Sequence, residues 1–193
     1  MAETKKVILD AGHGGTTDPG AVYQGRQEKN DNLRMALAVG QILSEDGVDV
    51  GYTRVQDVYQ SPLQKAQMAN NWEADYFVSF HRNAMPVPGT ASGTESLIFS
   101  RGGEAEQLAS NINAELGQAG WNDLGTTERP GLIVLRKTEM PAVLVEVGFL
   151  DNPEDNQRFD AQFEHTARAI ADGILNTLRS PEGQPEYYQI QVK

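Results

Sequence analysis

The sequence predicts a single α/β domain whose twisted, mixed but largely parallel sheet of about six strands is flanked by helices. Short apolar segments alternate along the chain with longer segments of helical periodicity, a pattern typical of strands joined by helices. Several apolar segments have almost no polar positions, as expected of strands that are covered on both faces. With 193 residues, the chain has the length of one domain that buries its own core.

Six segments have the composition of strands. The first, KVILDA at residues 6–11, contains branched apolar residues and stops at Gly12. The others, in chain order, are VDVGYTR at 48–54, DYFVSFH at 75–81, GTESLIFS at 93–100, GLIVLR at 131–136 and PAVLVEVGF at 141–149. In such folds the active site lies at the carboxyl ends of the strands, so residues near those ends are the first candidates for chemistry.

Four segments have helical periodicity, and they span residues 28–46, 61–74, 103–120 and 159–178. The first is followed by Gly47, a common C-terminal stop. The second begins with Ser61 in the N-cap position and Pro62 at the first helical position. The apolar face of the last consists of Phe163, Ala167, Ile170, Ile174 and Leu178.

The composition excludes several classes of function. The chain has no cysteine, so it forms no disulfide, and any metal must be held by His, Asp or Glu. The formal net charge of -11 disfavours nucleic acid as a partner, because phosphate binding needs a basic surface. No apolar run reaches about 18 residues, which predicts no membrane span. The N-terminus lacks the apolar core of a signal peptide, so the chain is either cytoplasmic or without its export signal.

Two of the three histidines lie at the ends of predicted strands. His13 lies in the glycine-rich stretch AGHGG after the first strand, and His81 closes the third. If these strands are neighbours, both imidazoles lie at the same rim of the sheet. His165 lies in the last predicted helix, between Phe163 and Ala167, and we expect it to be a surface or packing residue.

Two glutamates complete a candidate metal site. Catalytic zinc typically has three protein ligands and leaves a fourth position for water. Glu28 opens the first predicted helix and is the best candidate for the third ligand, although an ordinary surface residue in the first helical turn explains it equally well. Glu146 lies inside the apolar segment PAVLVEVGF, where burying an unpaired carboxylate costs roughly several kcal/mol. This cost favours a function for Glu146 as a general base and then a general acid.

Seven motifs follow one another along the chain: VILDAGHGG, DPGAV, QEKN, TR at Thr53–Arg54, FVSFHRNA, GTES and MPAVLVEVGFLDNPED. Together they resemble the catalytic domain of zinc-dependent N-acetylmuramoyl-L-alanine amidases, a family found in bacterial cell-wall hydrolases and phage endolysins. The resemblance spans roughly residues 5–178. Any one motif alone is weak, but their number and order make the resemblance specific.

The resemblance implies one zinc ion per chain, bound by His13, Glu28 and His81, with Glu146 as the catalytic glutamate. It implies that the substrate is peptidoglycan, cleaved at the amide between the lactyl group of N-acetylmuramic acid and L-alanine of the stem peptide. Glu146 would take a proton from the attacking water and deliver it to the L-alanine nitrogen. We expect an acceptor to orient each imidazole through its other ring nitrogen, and Asp10 is spatially plausible in this role.

Two features distinguish this chain within the family it resembles. The tripeptide Arg82-Asn83-Ala84 follows His81, whereas the family usually has Ala-Asn-Ala at these positions. The arginine could narrow the groove or contact a carboxylate of the substrate. Some members carry a long insertion that plugs the zinc site until an activator arrives. Here only LGQAGWNDLGTTERP separates Glu115 from Gly131, so we expect a site that is open without an activator.

We assign residues 1–179 to the zinc amidase catalytic domain and residues 180–193 to a linker that could lead into a further wall-binding domain. The final YYQIQVK resembles the opening strand of SPOR-type peptidoglycan-binding domains, but an ordinary edge strand is the simpler interpretation. We expect a monomer that acts on peptidoglycan outside the cytoplasm, at the cell wall. An enzyme of phage or spore origin would stay in the cytoplasm until release.

Two alternative functions remain open at the level of sequence. A zinc carboxypeptidase or endopeptidase that acts on the stem peptide would use the same chemistry, and only its products would distinguish it. A non-catalytic wall-binding module with a relic site is of a different class. The presence of His13, Glu28, His81 and Glu146 disfavours that module.

Overall fold

The computed structural model describes residues 4–179, so the predicted linker at residues 180–193 lies outside the described residues. The strands are β1 (Lys6–Ala11), β2 (Val22–Tyr23), β3 (Arg26–Gln27), β4 (Asp49–Tyr52), β5 (Tyr76–Asn83), β6 (Thr94–Ile98), β7 (Asp123–Glu128) and β8 (Ala142–Phe149). The helices are α1 (Glu28–Glu45), α2 (Pro62–Asn71), α3 (Glu104–Gln118), α4 (Ile133–Arg136), α5 (Pro153–Ala161) and α6 (Phe163–Arg179).

Six strands form one sheet in the order β4–β1–β5–β8–β6–β7, and β2 pairs with β3 separately. β1 pairs in parallel with β4 and with β5, and β5 pairs in parallel with β8. β6 runs antiparallel to β8 and parallel to β7, so the sheet is mixed. The predicted fold class, a largely parallel sheet of six strands with flanking helices, is confirmed.

Helices cover both faces of the sheet. The larger core includes Leu9 and Val78 and lies under α1, α3 and α6. The smaller core includes Ile8, Phe77 and Leu144 and lies on the opposite face with α2 and α4. The two cores take alternate residues of the same strands, because successive side chains of a strand point to opposite faces.

The strand predicted at residues 131–136 is wrong, because this segment forms α4. Val134 and Leu135 are buried while Ile133 is partly exposed, and the backbone N–H of Lys137 donates to the carbonyl of Ile133. A short apolar run does not distinguish a strand from one buried helical turn. The sheet instead contains β7, whose sequence DLGTTE is polar because this edge strand is exposed or half-buried throughout.

The last predicted helix begins too late and is in fact two helices. α5 starts at Pro153, after Asn152, whose side chain accepts two backbone N–H groups of the first turn. α5 ends at Ala161, because the backbone leaves helical geometry at the next residue, Gln162. α6 then carries the predicted apolar face, with Ile170 and Ile174 fully buried.

Most other elements occur where the sequence predicts them, with ends shifted by a few residues. Ser61 caps α2, and its side chain accepts the backbone N–H of Gln64 in a capping box. The short β2–β3 hairpin was not predicted, because two-residue strands leave no periodic signal. Among residues 4–179, no helix has the length and apolar character needed to cross a bilayer.

Gly173 of α6 determines how closely this helix packs on α3. A Cβ built at Gly173 would lie 2.6 Å from the Cα of Ile112. We expect Gly173→Ala to lower the free energy of unfolding by about 2 kcal/mol, because the two helices must separate. Calorimetry should show a melting temperature lower by roughly 4–8 °C.

Gly117 of α3 provides the matched control. A Cβ built at Gly117 meets no atom within 4 Å, so Gly117→Ala should leave stability unchanged or raise it by up to about 1 kcal/mol through helix propensity. An equal loss of unfolding free energy in Gly173→Ala and Gly117→Ala would show that close packing at Gly173 is not the cause of the destabilisation.

Candidate active site

The four predicted site residues come together at one rim of the sheet. His13 follows β1, His81 lies in β5, and these strands are parallel neighbours as the sequence argument required. Glu146 in β8 stands beside His81 in the strand register. Glu28 is the first residue of α1, and its side chain reaches both imidazoles.

His13, Glu28 and His81 form a cluster of the size that holds a metal ion. One ligand atom from each residue lies within 4.8 Å of the other two. The Oε2 atom of Glu28 lies 3.3 Å from Nε2 of His13, and its Oε1 atom lies 2.8 Å from Nδ1 of His81. The two rings meet edge to face with their centroids 4.9 Å apart. The cluster therefore presents two nitrogens and a carboxylate around one point.

The acceptor that orients His13 is Asp18, and not Asp10 as the sequence argument suggested. Nδ1 of His13 lies 2.6 Å from Oδ1 of Asp18, so Nδ1 donates there and Nε2 is left facing Glu28. Asp18 belongs to the DPGAV motif. The motif was visible in the sequence, but nothing in the sequence indicated which aspartate forms a hydrogen bond with the imidazole of His13.

The glycine-rich stretch provides space for the cluster. A Cβ at Gly12 would lie 2.3 Å from Nε2 of His81. A Cβ at Gly20 would lie 2.5 Å from Oε2 of Glu28 and 2.6 Å from Cδ2 of His13. His13 itself has a positive φ of 61°, which is uncommon for a residue with a side chain and recurs at functional sites. Glycines are therefore required because ring and carboxylate atoms occupy the volume beside them.

Glu28 is held by donors on several segments. It is only 4% exposed, and its Oε2 accepts the backbone N–H of Ala21 at 2.8 Å. Its Oε1 accepts the backbone N–H of Arg82 at 3.1 Å and the amide of Asn32 at 3.2 Å. Burial alone would raise the pKa of Glu28, but hydrogen bonds from His13 and the other imidazole outweigh it and hold this pKa well below the usual range.

The electrostatics of the cluster favour a cation. Burial alone would lower the pKa of His13, but the hydrogen bonds and charges of Glu28 and Asp18 outweigh it and raise the pKa to about 9. The two carboxylates therefore stabilise the positively charged form of the His13 imidazole. Two histidines and one carboxylate are also a usual protein ligand set for catalytic zinc. The residues present therefore fit a divalent cation.

Glu146 has the properties of a proton-transfer group. Its Oε2 atom is buried and has no hydrogen-bond partner among residues 4–179. Burial raises the pKa of Glu146 to about 7. The electrostatic interaction with His81 opposes this rise, and the interactions with Glu28 and Glu95 add to it. Glu95 of β6 stands opposite Glu146 on the neighbouring strand, and it was not predicted as part of the site. A carboxyl group that titrates near neutral pH can both accept and donate a proton.

A cavity of about 340 Å³ opens beside the two imidazoles. It lies on the face of the sheet that carries α2 and α4, and its apolar walls include Pro62, Leu132, Ile133, Val134 and Leu144. His13, Asp18 and His81 line the same cavity. Its volume is at the lower end of the range for ligand pockets, so it suits a short segment of a substrate.

Arg82 does not enter this cavity, which corrects the expectation that it narrows the groove or contacts a substrate carboxylate. It is only 2% exposed, and its Nη1 donates to Asp31 at 2.6 Å and its Nη2 to Asn156 at 2.8 Å. Its guanidinium stacks 4.2 Å from the ring centroid of Phe159 in the larger core. Because Arg82 is next to His81 in a strand, the two side chains point to opposite faces.

His165 is exposed on α6, in agreement with the expectation that it is a surface or packing residue.

Asp10 and Lys65 form a buried ion pair beneath the His13 loop. Asp10 is 1% exposed, and its Oδ1 lies 2.8 Å from Nζ of Lys65. Asp10 also accepts hydrogen bonds from the hydroxyls of Thr53 and Ser79. Burial alone would raise the pKa of Asp10, but the charge of Lys65 and these hydrogen bonds outweigh it, so the pKa lies below the ordinary value of 3.8.

We expect Asp10→Asn to lower the free energy of unfolding by about 3 kcal/mol at neutral pH, because it leaves Lys65 buried without a counter-charge. The folded-state pKa of Asp10 is depressed, so its stabilisation is complete above the unfolded value near 3.8 and is lost as the pH falls below it. The difference in unfolding free energy between wild type and variant should therefore shrink below about pH 4.

Urea unfolding from pH 3 to pH 8 measures this difference. The matched control is Asp49→Asn, since Asp49 is exposed on β4 and its substitution should change stability by less than about 0.5 kcal/mol. A difference that stays constant across the pH range would mean that the charge of Asp10 does not stabilise the fold.

Comparisons with known proteins agree with one another. A family profile described as N-acetylmuramoyl-L-alanine amidase matches residues 7–176. The sporulation-specific N-acetylmuramoyl-L-alanine amidase of Bacillus subtilis (strain 168) is 37% identical over 97% of this chain and 74% of its own length. The endolysin of Bacillus phage SPP1 is 36% identical over 91% of this chain and 66% of its own length. The crystal structure of N-acetylmuramoyl-L-alanine amidase from Clostridium difficile 630 superposes with a TM-score of 0.88 and 33% identity, covering 93% of this chain and 99% of that one.

Proposed function

The chain belongs to the N-acetylmuramoyl-L-alanine amidase family, and from this premise we propose how its residues perform the reaction. It is a peptidoglycan hydrolase that cleaves the amide between N-acetylmuramic acid and L-alanine of the stem peptide. We propose that His13, Glu28 and His81 hold one zinc ion and that Glu146 transfers the proton.

The donor set supports zinc as the ion. The family is in general zinc-dependent, and His13, Glu28 and His81 offer two nitrogens and one carboxylate within 4.8 Å of one another. Three protein ligands leave a position for a non-protein ligand, as in catalytic rather than structural zinc sites. When bound, zinc would supply the Lewis acidity that polarises an amide carbonyl and acidifies water.

Glu146 carries the proton in the proposed reaction. As a carboxylate it takes a proton from a water molecule while the water oxygen forms a bond to the amide carbon. It then delivers this proton to the L-alanine nitrogen, and the carbon–nitrogen bond breaks. The products are the lactyl carboxylate of muramic acid and the free amino terminus of the peptide. Asp18 accepts a hydrogen bond from Nδ1 of His13, which leaves Nε2 as the ring nitrogen that would bind the ion.

The observation that carries this proposal is the buried, unpartnered carboxylate oxygen of Glu146 beside the imidazole cluster. An unsatisfied buried carboxylate costs stability, and stability alone gives no reason to keep it there. A reacting water and an amide nitrogen provide the missing hydrogen-bond partners. The stem-peptide peptidase and the relic binding module, by contrast, receive no specific support from the site.

We also propose that the enzyme works as a monomer outside the cytoplasm. Peptidoglycan is its substrate, and its relatives include a sporulation-specific amidase and a phage endolysin.

Residues 1–179 would form the catalytic domain, and the family match to residues 7–176 supports these limits. With a net charge of -11, the chain gains no attraction from anionic wall polymers, which supports a separate wall-binding module beyond a linker at residues 180–185. Sedimentation with purified walls tests this module, and equal binding with and without it would exclude it.

We expect Glu146→Gln to lower kcat/KM by at least about 100-fold, because the amide can no longer accept a proton. Zinc content by atomic absorption should stay at the wild-type value, since Glu146 is not among the proposed ligands. The matched control is Glu139→Gln at an exposed position, which should change neither quantity. Turnover retained in Glu146→Gln would remove Glu146 from the mechanism.

We expect the purified domain alone, without an activator, to contain about one zinc per chain and to lose activity with a chelator. Digestion of defined muropeptides, followed by mass spectrometry, should yield a free lactyl carboxylate and a peptide that begins with L-alanine. Release of D-alanine would instead identify a stem-peptide peptidase. Activity that survives complete removal of metal would contradict the zinc mechanism.

A further inference from the structure

We propose that Arg54 is the positioning residue of the metal centre, because its guanidinium ties the segment that carries His13 to the segment that carries Glu28. This inference rests on the proposed function, since it takes these two residues as metal ligands. The TR motif at Thr53–Arg54 was noted in the sequence without a role. The structure shows what the arginine contacts.

One side of the guanidinium holds the His13 loop. Arg54 is only 4% exposed. Its Nε donates to the carbonyl of Ala11 at 3.0 Å, and its Nη2 donates to the carbonyl of Gly12 at 3.1 Å. These two residues immediately precede His13, so Arg54 holds the backbone at the point where it leaves β1.

The same guanidinium also holds the start of α1. Nη2 of Arg54 donates to the carbonyl of Lys29 at 2.8 Å, and Lys29 immediately follows Glu28. Nη1 donates to the carbonyl of Gln56 at 3.2 Å, which fixes the arginine to its own loop. A single planar group thus sets the separation between the first turn of α1 and the end of β1.

The contacts around Arg54 reinforce this link. The amide of Asn32 donates both to the carbonyl of Gly12 and to Oε1 of Glu28, each at 3.2 Å. Nζ of Lys29 donates to the carbonyl of Gly15 at 2.8 Å. The loop needs such ties because it holds a histidine at positive φ, a conformation that the chain does not adopt unaided.

The chemistry of the contacts requires arginine in particular. All four hydrogen-bond acceptors of Arg54 are neutral backbone carbonyls, so burial of its charge is not offset by a hydrogen-bonded carboxylate. Such burial is expensive, and an apolar side chain of similar volume would avoid it. Only a guanidinium offers several N–H groups in one rigid plane, whereas lysine offers a single point of attachment. Arg54→Lys therefore keeps the charge and loses the link.

The experiment measures zinc affinity and ligand geometry rather than activity. Metal-free wild type, Arg54→Lys and Arg54→Gln are titrated with zinc against a chromophoric chelator, and the absorption spectra of the Co²⁺ forms are recorded. We expect both variants to bind zinc about 10- to 100-fold more weakly, the range seen when groups that orient metal ligands are removed. The intensity of the Co²⁺ bands should change, because it depends on coordination geometry.

Two control variants separate positioning from stability. Arg34→Lys makes the same substitution at an exposed position of α1, where the arginine side chain is 53% exposed. Thr166→Val removes the acceptor of the indole N–H of Trp121 in the larger core, and it should destabilise the protein away from the site. Urea unfolding of the metal-free proteins gives the stability of each variant. Both controls should bind zinc as tightly as wild type.

The outcomes distinguish a failure of the proposed metal site from a failure of the role proposed for Arg54. Wild type that binds no zinc would refute the proposed metal site itself. Tight zinc binding by wild type, with Arg54→Lys within about threefold of it and an unchanged Co²⁺ spectrum, would overturn only the role of Arg54. An equal loss of zinc affinity in Thr166→Val would assign the effect to general destabilisation. Failure of both Arg54 variants to fold would also reject a role confined to the metal centre.

Discussion

The contact of the Glu28 carboxylate with two imidazoles is the interaction on which the rest of the site depends. It joins the start of α1 to the loop after β1 and to the end of β5. A buried carboxylate between two rings is stable only while positive charge is present, and in the protein without metal His13 supplies that charge. A divalent ion would supply it more effectively, so one ionic balance accounts for the geometry of the cluster and for the metal that we propose it holds.

The sheet register provides the remaining group. Because β5 and β8 are parallel neighbours, His81 and Glu146 stand side by side and point to the same face as α2 and α4. A slip of one residue in either strand would turn one of these side chains into the opposite core. The register between β5 and β8 therefore determines on which face of the sheet these two side chains meet.

The sequence indicated the parts of the site that depend on strand ends. His13 and His81 could be predicted because each closes an apolar strand, and parallel strands bring such ends to one rim. The helix α4, within the segment 131–136, could not be predicted, because one apolar turn has no distinguishing period. The partner of the His13 ring and the face of Arg82 depend on how loops and side chains pack in three dimensions. The family resemblance indicated which residues to propose as metal ligands, but it gave no information on these contacts.

Part of the apolar wall of the cavity lies on a different segment from the residues proposed to do the chemistry. The proposed metal-binding and proton-transfer residues lie on central strands, in the loop after β1 and at the start of α1, whereas Leu132, Ile133 and Val134 belong to a one-turn helix outside the sheet and to its N-cap. A segment of this kind can be exchanged without disturbing strand pairing. Selection or engineering can thus reshape this side of the cavity by grafting a different turn, while the side chains clustered around Glu28 keep their positions.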